Sequence, residues 1–347
     1  MTYIQQLLKD KIPDSGELEI FFFEECNLRC VHCFQNHLSK VGQSREEILS
    51  KLNVIKDFFI MNPKKHFIMN IMGGELFQDH LLDEFLPVYS EFIDGVNKLC
   101  DEFDKGVTFN FVTSLVFKRT QLVLDWVKHH DLKFSVSYDL TGRFNQPDFE
   151  TYKQNIELFD DYVGLICLVA TKQNMAKLIE TGDKYYDYLY SKYPCYWDQL
   201  TPGPTVPSML VPTESELYKF NIFLIDNYPK CTNLDAFTNG KSHNKMSCPS
   251  INKLLIEANN RTASCRIHQH EDSKDFITIV TPETNDPIIQ KFLDDHDCMS
   301  CEYFQRCPFS CFVRNDWLRL GRDFDGCVYK ETFRYIDSKD GTDNKTN

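Results

Sequence analysis

The chain has 347 residues, 42% hydrophobic and 14% aromatic, enough to fill the core of one large domain or two. Its 51 acidic against 38 basic residues give a formal charge of −13, which argues against a nucleic-acid backbone as the main partner. The N-terminus MTYIQQLLKDK lacks an apolar signal-peptide core, and no apolar run is long enough to span a membrane, so a cytoplasmic location is expected.

ELEIFFF (17–23) reads as a buried strand, and it runs straight into CNLRCVHC, which brings Cys26, Cys30 and Cys33 close together. A helix is predicted over 44–60, with Ser44 and Glu47 in capping-box spacing and Ile48, Leu52, Ile55 and Phe59 on one face. KHFIMNIM (65–72) reads as a strand that ends in Gly73-Gly74-Glu75. Helix 81–103, strand 107–117, helix 120–130, strand 132–140, helix 149–162, strand 163–171 and helix 175–193 follow. CYWDQLT (195–201) is a sixth strand, ended by the proline-rich stretch 202–212, and a helix is expected over 214–227.

Such alternation predicts parallel βα units with right-handed crossovers. Six units make an α/β fold, a partial (β/α)6 barrel, with its chemistry at the C-terminal strand ends. The first three cysteines fall there. Beyond about residue 235 the alternation stops and a small cysteine-rich C-terminal domain begins. The expected organisation is a barrel over 1–212, a linker with a bridging helix over 213–247, the cysteine-rich domain over 248–335 and a disordered tail over 336–347.

Fourteen cysteines in a reducing compartment point to metal or catalytic sites. Seven follow residue 247: Cys248, Cys265, Cys298, Cys301, Cys307, Cys311 and Cys327. Cys100, Cys167, Cys195 and Cys231 are scattered and read as small buried apolar residues. Thiolates bind soft metals and iron–sulfur clusters, and three protein ligands leave a coordination position open for something else.

The C-x3-C-x2-C spacing on the loop after a first strand resembles the radical S-adenosylmethionine (SAM) enzymes. The resemblance implies that Cys26, Cys30 and Cys33 hold a [4Fe–4S] cluster whose fourth iron binds SAM. One electron then cleaves SAM to a 5′-deoxyadenosyl radical, which abstracts hydrogen from the substrate. Gly73, Gly74 and Glu75 resemble the family's GGE motif, whose carboxylate would take the SAM ammonium. Thr113, Ser114, Ser137 and Asp139 stand at strand ends where the family binds the SAM carboxylate and ribose. His32 stands where an aromatic or apolar residue often lies against the adenine.

The C-terminal pattern resembles the SPASM extension of that family, with Asn260 where glycine is usual. Asparagine is the best substitute for a left-handed backbone. The resemblance implies a complete auxiliary [4Fe–4S] cluster on Cys298, Cys301, Cys307 and Cys327, and a second on Cys248, Cys265 and Cys311. The fourth position of the second is open or filled by Cys231, with His268 a weaker choice. Leu254 lies where a further cysteine is common.

The family resemblance implies a peptide or protein substrate, oxidised by cross-linking (thioether or carbon–carbon) or otherwise, and an external electron donor of the flavodoxin or ferredoxin type. Arg266 stands where sulfatase maturases carry an aspartate, which disfavours formylglycine formation. Only 25 residues precede Cys26, too few for the fused leader-binding domain many peptide maturases carry, so recognition of a leader peptide is expected to fall to a separate leader-peptide-binding protein or to another surface. Tyr138, Asp139 and Asp198 are the candidate catalytic residues. Two other readings stay open: a radical SAM enzyme acting on a small molecule or nucleotide, and a zinc-stapled interaction module.

Overall fold

The computed structural model describes residues 6–11, 13–33, 35, 37–200, 206–238, 253–263, 282–309, 324 and 326–343. The chain divides into two compact units. One spans Asp14–Cys167 and Asn252–Val280; the other comprises Met1–Pro13, Leu168–Ile251 and Thr281–Asn347. The units are not consecutive halves of the chain.

The first unit carries β1 (Gly16–Phe21), α1 (Arg45–Met61), β2 (His66–Met72), α2 (Leu82–Phe103), β3 (Gly106–Thr113), α3 (Thr120–His130), β4 (Lys133–Tyr138) and α4 (Gln146–Leu158). The strand β5 (Val163–Ala170) begins here and runs across the boundary. β1 through β4 pair in parallel and in sequence order. Each helix returns the chain to the start of the next strand, as a βα unit requires. Leu18, Ile20, Met69 and Ile71 are fully buried on the helix-covered face. Phe77 anchors the same core, with its ring centre 5.3 Å from Phe134 and 5.8 Å from Trp126.

Ser44 caps α1 by accepting from Glu47 N, and its hydroxyl donates to the Glu47 carboxylate at 2.8 Å. The predicted strand 107–117 stops at Thr113. Leu115 is in the left-handed region (φ 55°), and its carbonyl and that of Phe117 accept from Asn155 Nδ2, each at 2.7 Å.

Two strands went unpredicted: β7 (Lys253–Ile256) and β8 (Thr262–Ala263). β7 pairs in parallel with β1 and antiparallel with β8, which extends the sheet on the β1 side. Leu254 lies opposite Leu18 and is buried.

The second unit receives the end of β5 and continues with α5 (Lys172–Thr181), α6 (Lys184–Lys192) and β6 (Cys195–Gln199). β6 neighbours β5. The single helix expected over 175–193 is two helices. Gly182 (φ 65°) ends the first, and Asp183 caps the second by accepting from Tyr186 N at 2.7 Å. Then come α7 (Glu214–Asn227), α8 (Asp235–Thr238), α9 (Pro282–Asp295) and α10 (Val328–Asp343). Thr213 and Glu216 form the capping box of α7. Residues 336–343, expected to be disordered, continue α10. No helix among the described residues is long and apolar enough to cross a membrane.

Candidate functional site

The loop after β1 carries Cys26, Cys30 and Cys33, all partly exposed. Its backbone is held at several points. Cys26 N donates to His37 O at 3.1 Å, Cys33 N to Cys30 O at 3.1 Å, and Asn27 Nδ2 to Val116 O at 2.8 Å. Arg29 Nη1 donates to Cys26 O. Burial pushes the Cys26 thiol up to about 12, and the charges of Glu75, Cys30 and Cys33 push the same way. Leu28 N donates to Cys26 Sγ at 3.4 Å and opposes that shift.

Gly73-Gly74-Glu75 packs against the start of this loop. Gly74 N donates to Phe23 O at 2.9 Å and Glu75 N to Glu25 O at 3.1 Å. A Cβ on Gly74 would lie 1.8 Å from Glu25 O. The glycine is therefore required by the chain's own backbone, whatever ligand also approaches.

Glu75 is buried. Its Oε1 accepts from Thr113 Oγ1 at 2.8 Å and Phe77 N at 3.1 Å, and its Oε2 from Ser114 N at 2.7 Å and Ser114 Oγ at 2.5 Å. A carboxylate offers about four acceptor directions, and here all are taken. Thr113, Ser114 and Glu75, expected separately on SAM, meet as one network that ties the ends of β2 and β3 together. A further donor at Glu75 has to displace one of these four.

At the end of β4, Ser137 is half-buried and Asp139 buried. Asp139 Oδ1 accepts from Thr141 N at 2.9 Å and Gly142 N at 2.7 Å, while its Oδ2 lies 3.8 Å from His32 Nδ1. Burial lowers His32 to about 4, helped by the Arg143 charge and opposed by Asp139. His32 is thus a neutral ring at physiological pH.

Arg143 is the residue that sequence reasoning missed. Its Nε is buried without a hydrogen-bond partner. Burial works against its charge, but Cys30, Asp139, Cys26 and Cys33 together raise its pKa. Its position four residues beyond the strand-end Asp139 was the available signal. Tyr138, by contrast, is packed among Tyr152, Phe144 and Phe149.

The other compact unit brings together Cys298, Cys301, Cys307 and Cys327. All four line one cavity of about 310 Å³, with Tyr303, Phe304, Phe309 and Phe333. Burial pushes Cys298 up to about 12, with Cys327 and Cys301 adding to it. Cys307 is raised by burial and by Cys327 and Cys298, against the pull of Phe309 N, which donates to its Sγ at 3.4 Å, and of Lys11. Burial also raises Cys327, opposed by the N–H groups of Lys330 and Tyr329 at the start of α10.

Asp198 is exposed on β6 of this unit. Cys231 is fully buried, with its Sγ 3.3 Å from Tyr186 Oη, which in turn accepts from Trp197 Nε1 at 2.8 Å. That is a core environment. Cys248, Cys265, Cys311, Arg266 and His268 lie outside the described residues. Asn260 does adopt the left-handed backbone expected of it (φ 65°).

No three His, Cys, Asp or Glu side chains among the described residues are already drawn together as a metal-binding group. Both cysteine sets nevertheless fit an iron–sulfur cluster in donor chemistry. Each is a group of thiols, of which Cys30 and Cys33 act on Cys26 and Cys301 and Cys327 on Cys298, and in each one sulfur accepts from the N–H two residues on, as Leu28 N to Cys26 and Phe309 N to Cys307. A bound cation removes the proton that burial otherwise keeps on such thiols.

No known family profile matches the chain, and no curated protein matches it in sequence. Solved structures do match in fold. Native anSMEcpe with bound AdoMet and Kp18Cys peptide is similar at TM-score 0.64 and 16% identity, over 93% of this chain and 97% of that one. Native anSMEcpe with bound AdoMet alone gives 0.60 and 16%, over 95% and 100%. Streptococcus suis SuiB bound to precursor peptide SuiA gives 0.55 and 15%, over 94% and 78%. The chain therefore has the fold of the radical SAM enzymes. The likeness to anSMEcpe and SuiB is one of fold.

Proposed function

We propose that this protein is a radical SAM oxidoreductase that modifies a side chain of a peptide or protein. The carrying observation is that three thiols follow the first strand of this fold and that Arg143, whose Nε is buried without a hydrogen-bond partner, feels the charge of all three. The solved relatives in fold bind AdoMet and peptides, which supports the same ligand classes here.

Cys26, Cys30 and Cys33 would hold a [4Fe–4S] cluster, and Cys298, Cys301, Cys307 and Cys327 an auxiliary one. Cys248, Cys265 and Cys311 are assigned to a second auxiliary cluster. When bound, the first cluster supplies the electron that cleaves SAM to the hydrogen-abstracting radical. The chain's own residues prepare the site. Arg143 offers charge and a free N–H to an anionic group such as a carboxylate. His32, neutral, offers a flat ring face. Gly73 and Gly74 let the β2 end lie close to the loop, and the Glu75 network with Thr113 and Ser114 fixes the strand ends. Ser137 remains for a polar contact. Of the three catalytic candidates, Asp139 is the one beside the thiol loop; Tyr138 supports it by packing, and no step is assigned to Asp198.

Oxidation by cross-linking or another dehydrogenation of a side chain is the reading for the reaction, with an external flavodoxin- or ferredoxin-type donor and a separate leader-binding protein as partners. The test is anaerobic reconstitution followed by iron and sulfide counts, then SAM, a strong reductant and an assay for 5′-deoxyadenosine. About twelve irons per chain and deoxyadenosine release are expected, with release abolished in C26A/C30A/C33A. Zinc in place of iron, with SAM left intact, would sink the reading.

A further inference from the structure

The loop that carries the first three thiols also carries charge and apolar surface that holding a cluster does not require. No Asp or Glu lies between Cys26 and Arg45, in a chain whose formal charge is −13. Arg29 and Lys40 are exposed. Among the described residues neither forms an ion pair, whereas Arg45 is paired with Glu91 and Arg119 with Asp83. Val31, Leu38 and Val41 are 56%, 78% and 43% exposed. A single exposed apolar residue is ordinary. These three share one short loop with two cations and three partly exposed thiols.

The backbone holds this loop in place. Cys26 N on His37 O joins its two limbs at 3.1 Å. Arg29 Nη1 donates to Leu28 O at 2.7 Å and also to Cys26 O. Burial lowers the His37 pKa and the Arg29 charge adds to that, so the guanidinium lies near residue 37, the neighbour of Leu38. Gly42 (φ 81°) fastens the far end against β1, since a Cβ there would lie 2.1 Å from Phe22 O. The nearby carboxylates are engaged elsewhere. Glu25 accepts from Gln43 Nε2 at 2.7 Å and lies 3.2 Å from His80 Nε2, and Asp139 is buried.

The second thiol site has the opposite charge. Asp294, Asp295, Asp297 and Glu302 flank Cys298 and Cys301, all four exposed, with no Lys or Arg between Lys291 and Arg306. An acidic partner is thus repelled by one thiol loop and attracted by the other.

We propose that loop 29–41 is the docking surface for a small acidic one-electron carrier protein, and that its charge directs that carrier to the first thiol site and away from the second. The proposal rests on the cluster assignment above. The carrier is oxidised by one electron and the cluster on Cys26, Cys30 and Cys33 is reduced by one; no atom moves between them. Electron transfer falls off steeply with distance, so the carrier has to dock where the thiols lie near the surface. Transient redox encounters bury less than about 1,200 Å² in total, so one loop can supply much of one side. Val31, Leu38 and Val41 would form the dry centre, with Arg29 and Lys40 at the rim, where charge governs the rate of encounter.

The test uses the full chain, reconstituted without oxygen, and a purified bacterial flavodoxin with its FMN fully reduced. K40E, L38S/V41S and K128E are compared with the parent. Lys128 is an exposed cation on α3 and controls for net charge alone. Three quantities are read: iron and sulfide content, flavodoxin affinity by calorimetry, and the rate of cluster reduction by flavodoxin and by dithionite, which needs no docking. K40E is expected to keep its iron and to lose about fivefold or more in affinity and in flavodoxin-driven rate at low ionic strength. That loss should shrink to within about twofold at about 1 M salt, where the Debye length is about 3 Å. L38S/V41S should lose about fivefold at either salt, because apolar contact is not screened. K128E should stay within about twofold of the parent, and dithionite should reduce all four proteins at one rate.

Parent-like flavodoxin affinity and rate in both K40E and L38S/V41S overturn the proposal. So does an equal loss in K128E, which marks a net-charge effect. A fall in the dithionite rate or in iron also overturns it, since the loop would then be acting on the cluster and not on the carrier. Failure of the cluster assignment is distinguishable: C26A/C30A/C33A would then carry as much iron as the parent, and the proposal would fall with it.

Discussion

Glu75 shows how a single side chain organises the thiol loop's neighbourhood. Four donors from Thr113, Phe77 and Ser114 converge on a carboxylate that is 2% exposed. Replacing it by glutamine swaps one acceptor oxygen for a donor that faces donors. Leaving a buried donor unmatched costs about 1–3 kcal/mol. E75Q is therefore expected to lower the chain's unfolding free energy by that amount while leaving its iron content intact, measured by denaturant titration and iron assay. Unchanged stability with SAM binding lost would instead make Glu75 a ligand-facing group. The sequence located Glu75, Thr113 and Ser114 by their places at strand ends. It could not show that they bind one another, because residues 38 apart have no spacing that encodes a contact. For the same reason Arg143 stayed hidden until the loop after β4 was folded back towards the thiols.

The β7–β8 hairpin is an element the alternation argument passed over. Four residues, KLLI, give too short an apolar run to separate strand from loop. Its turn, however, was legible in one residue, since Asn260 takes the left-handed conformation that its side chain tolerates. Lys51 of α1, fully buried, secures that turn. Its Nζ donates to Glu257 O at 2.9 Å, Ala258 O at 3.2 Å and Asn260 Oδ1 at 2.6 Å.

K51M leaves these acceptors unmatched and is expected to destabilise the chain by about 1–3 kcal/mol near pH 7. The effect has a pH signature. Burial lowers Lys51 from 10.5 to about 8, with Glu47 and Glu257 opposing the shift. Between those values the unfolded chain binds more protons than the folded one, so this lysine's contribution makes the folded state more stable as pH rises through the window. K51M lacks that rise. The gap in stability between parent and K51M should therefore widen from about pH 8 to about pH 10.5, followed by urea titrations at each pH. A constant gap would show that Lys51 is not titrating in the fold.

Across the whole molecule, the cysteine spacings indicated two kinds of thiol site and the strand alternation indicated a partial barrel, both from local patterns. What remained illegible was which distant segments share a compact unit. Residues 6–11 join 289–309 through Leu8, and a residue whose partners lie roughly 280 positions away leaves no periodic trace. That grouping has a consequence for metal removal. The Cys298, Cys301, Cys307 and Cys327 thiols line one cavity, and a bound cluster stabilises only those states in which the four meet. Stripping iron should then weaken the segments that surround the cavity and spare those that do not. Backbone amide exchange in the iron-free chain is expected to speed up at least tenfold over 298–309 and over 6–11, where Leu8 and Lys11 pack on the same loop. The β2 and β3 strands, paired to each other over six registered positions in the other unit, should exchange at their original rates. Equal acceleration in β2, β3 and 298–309 would mean that iron supports the fold globally. No acceleration anywhere would mean that the aromatic and aliphatic packing around the cavity holds it closed without metal.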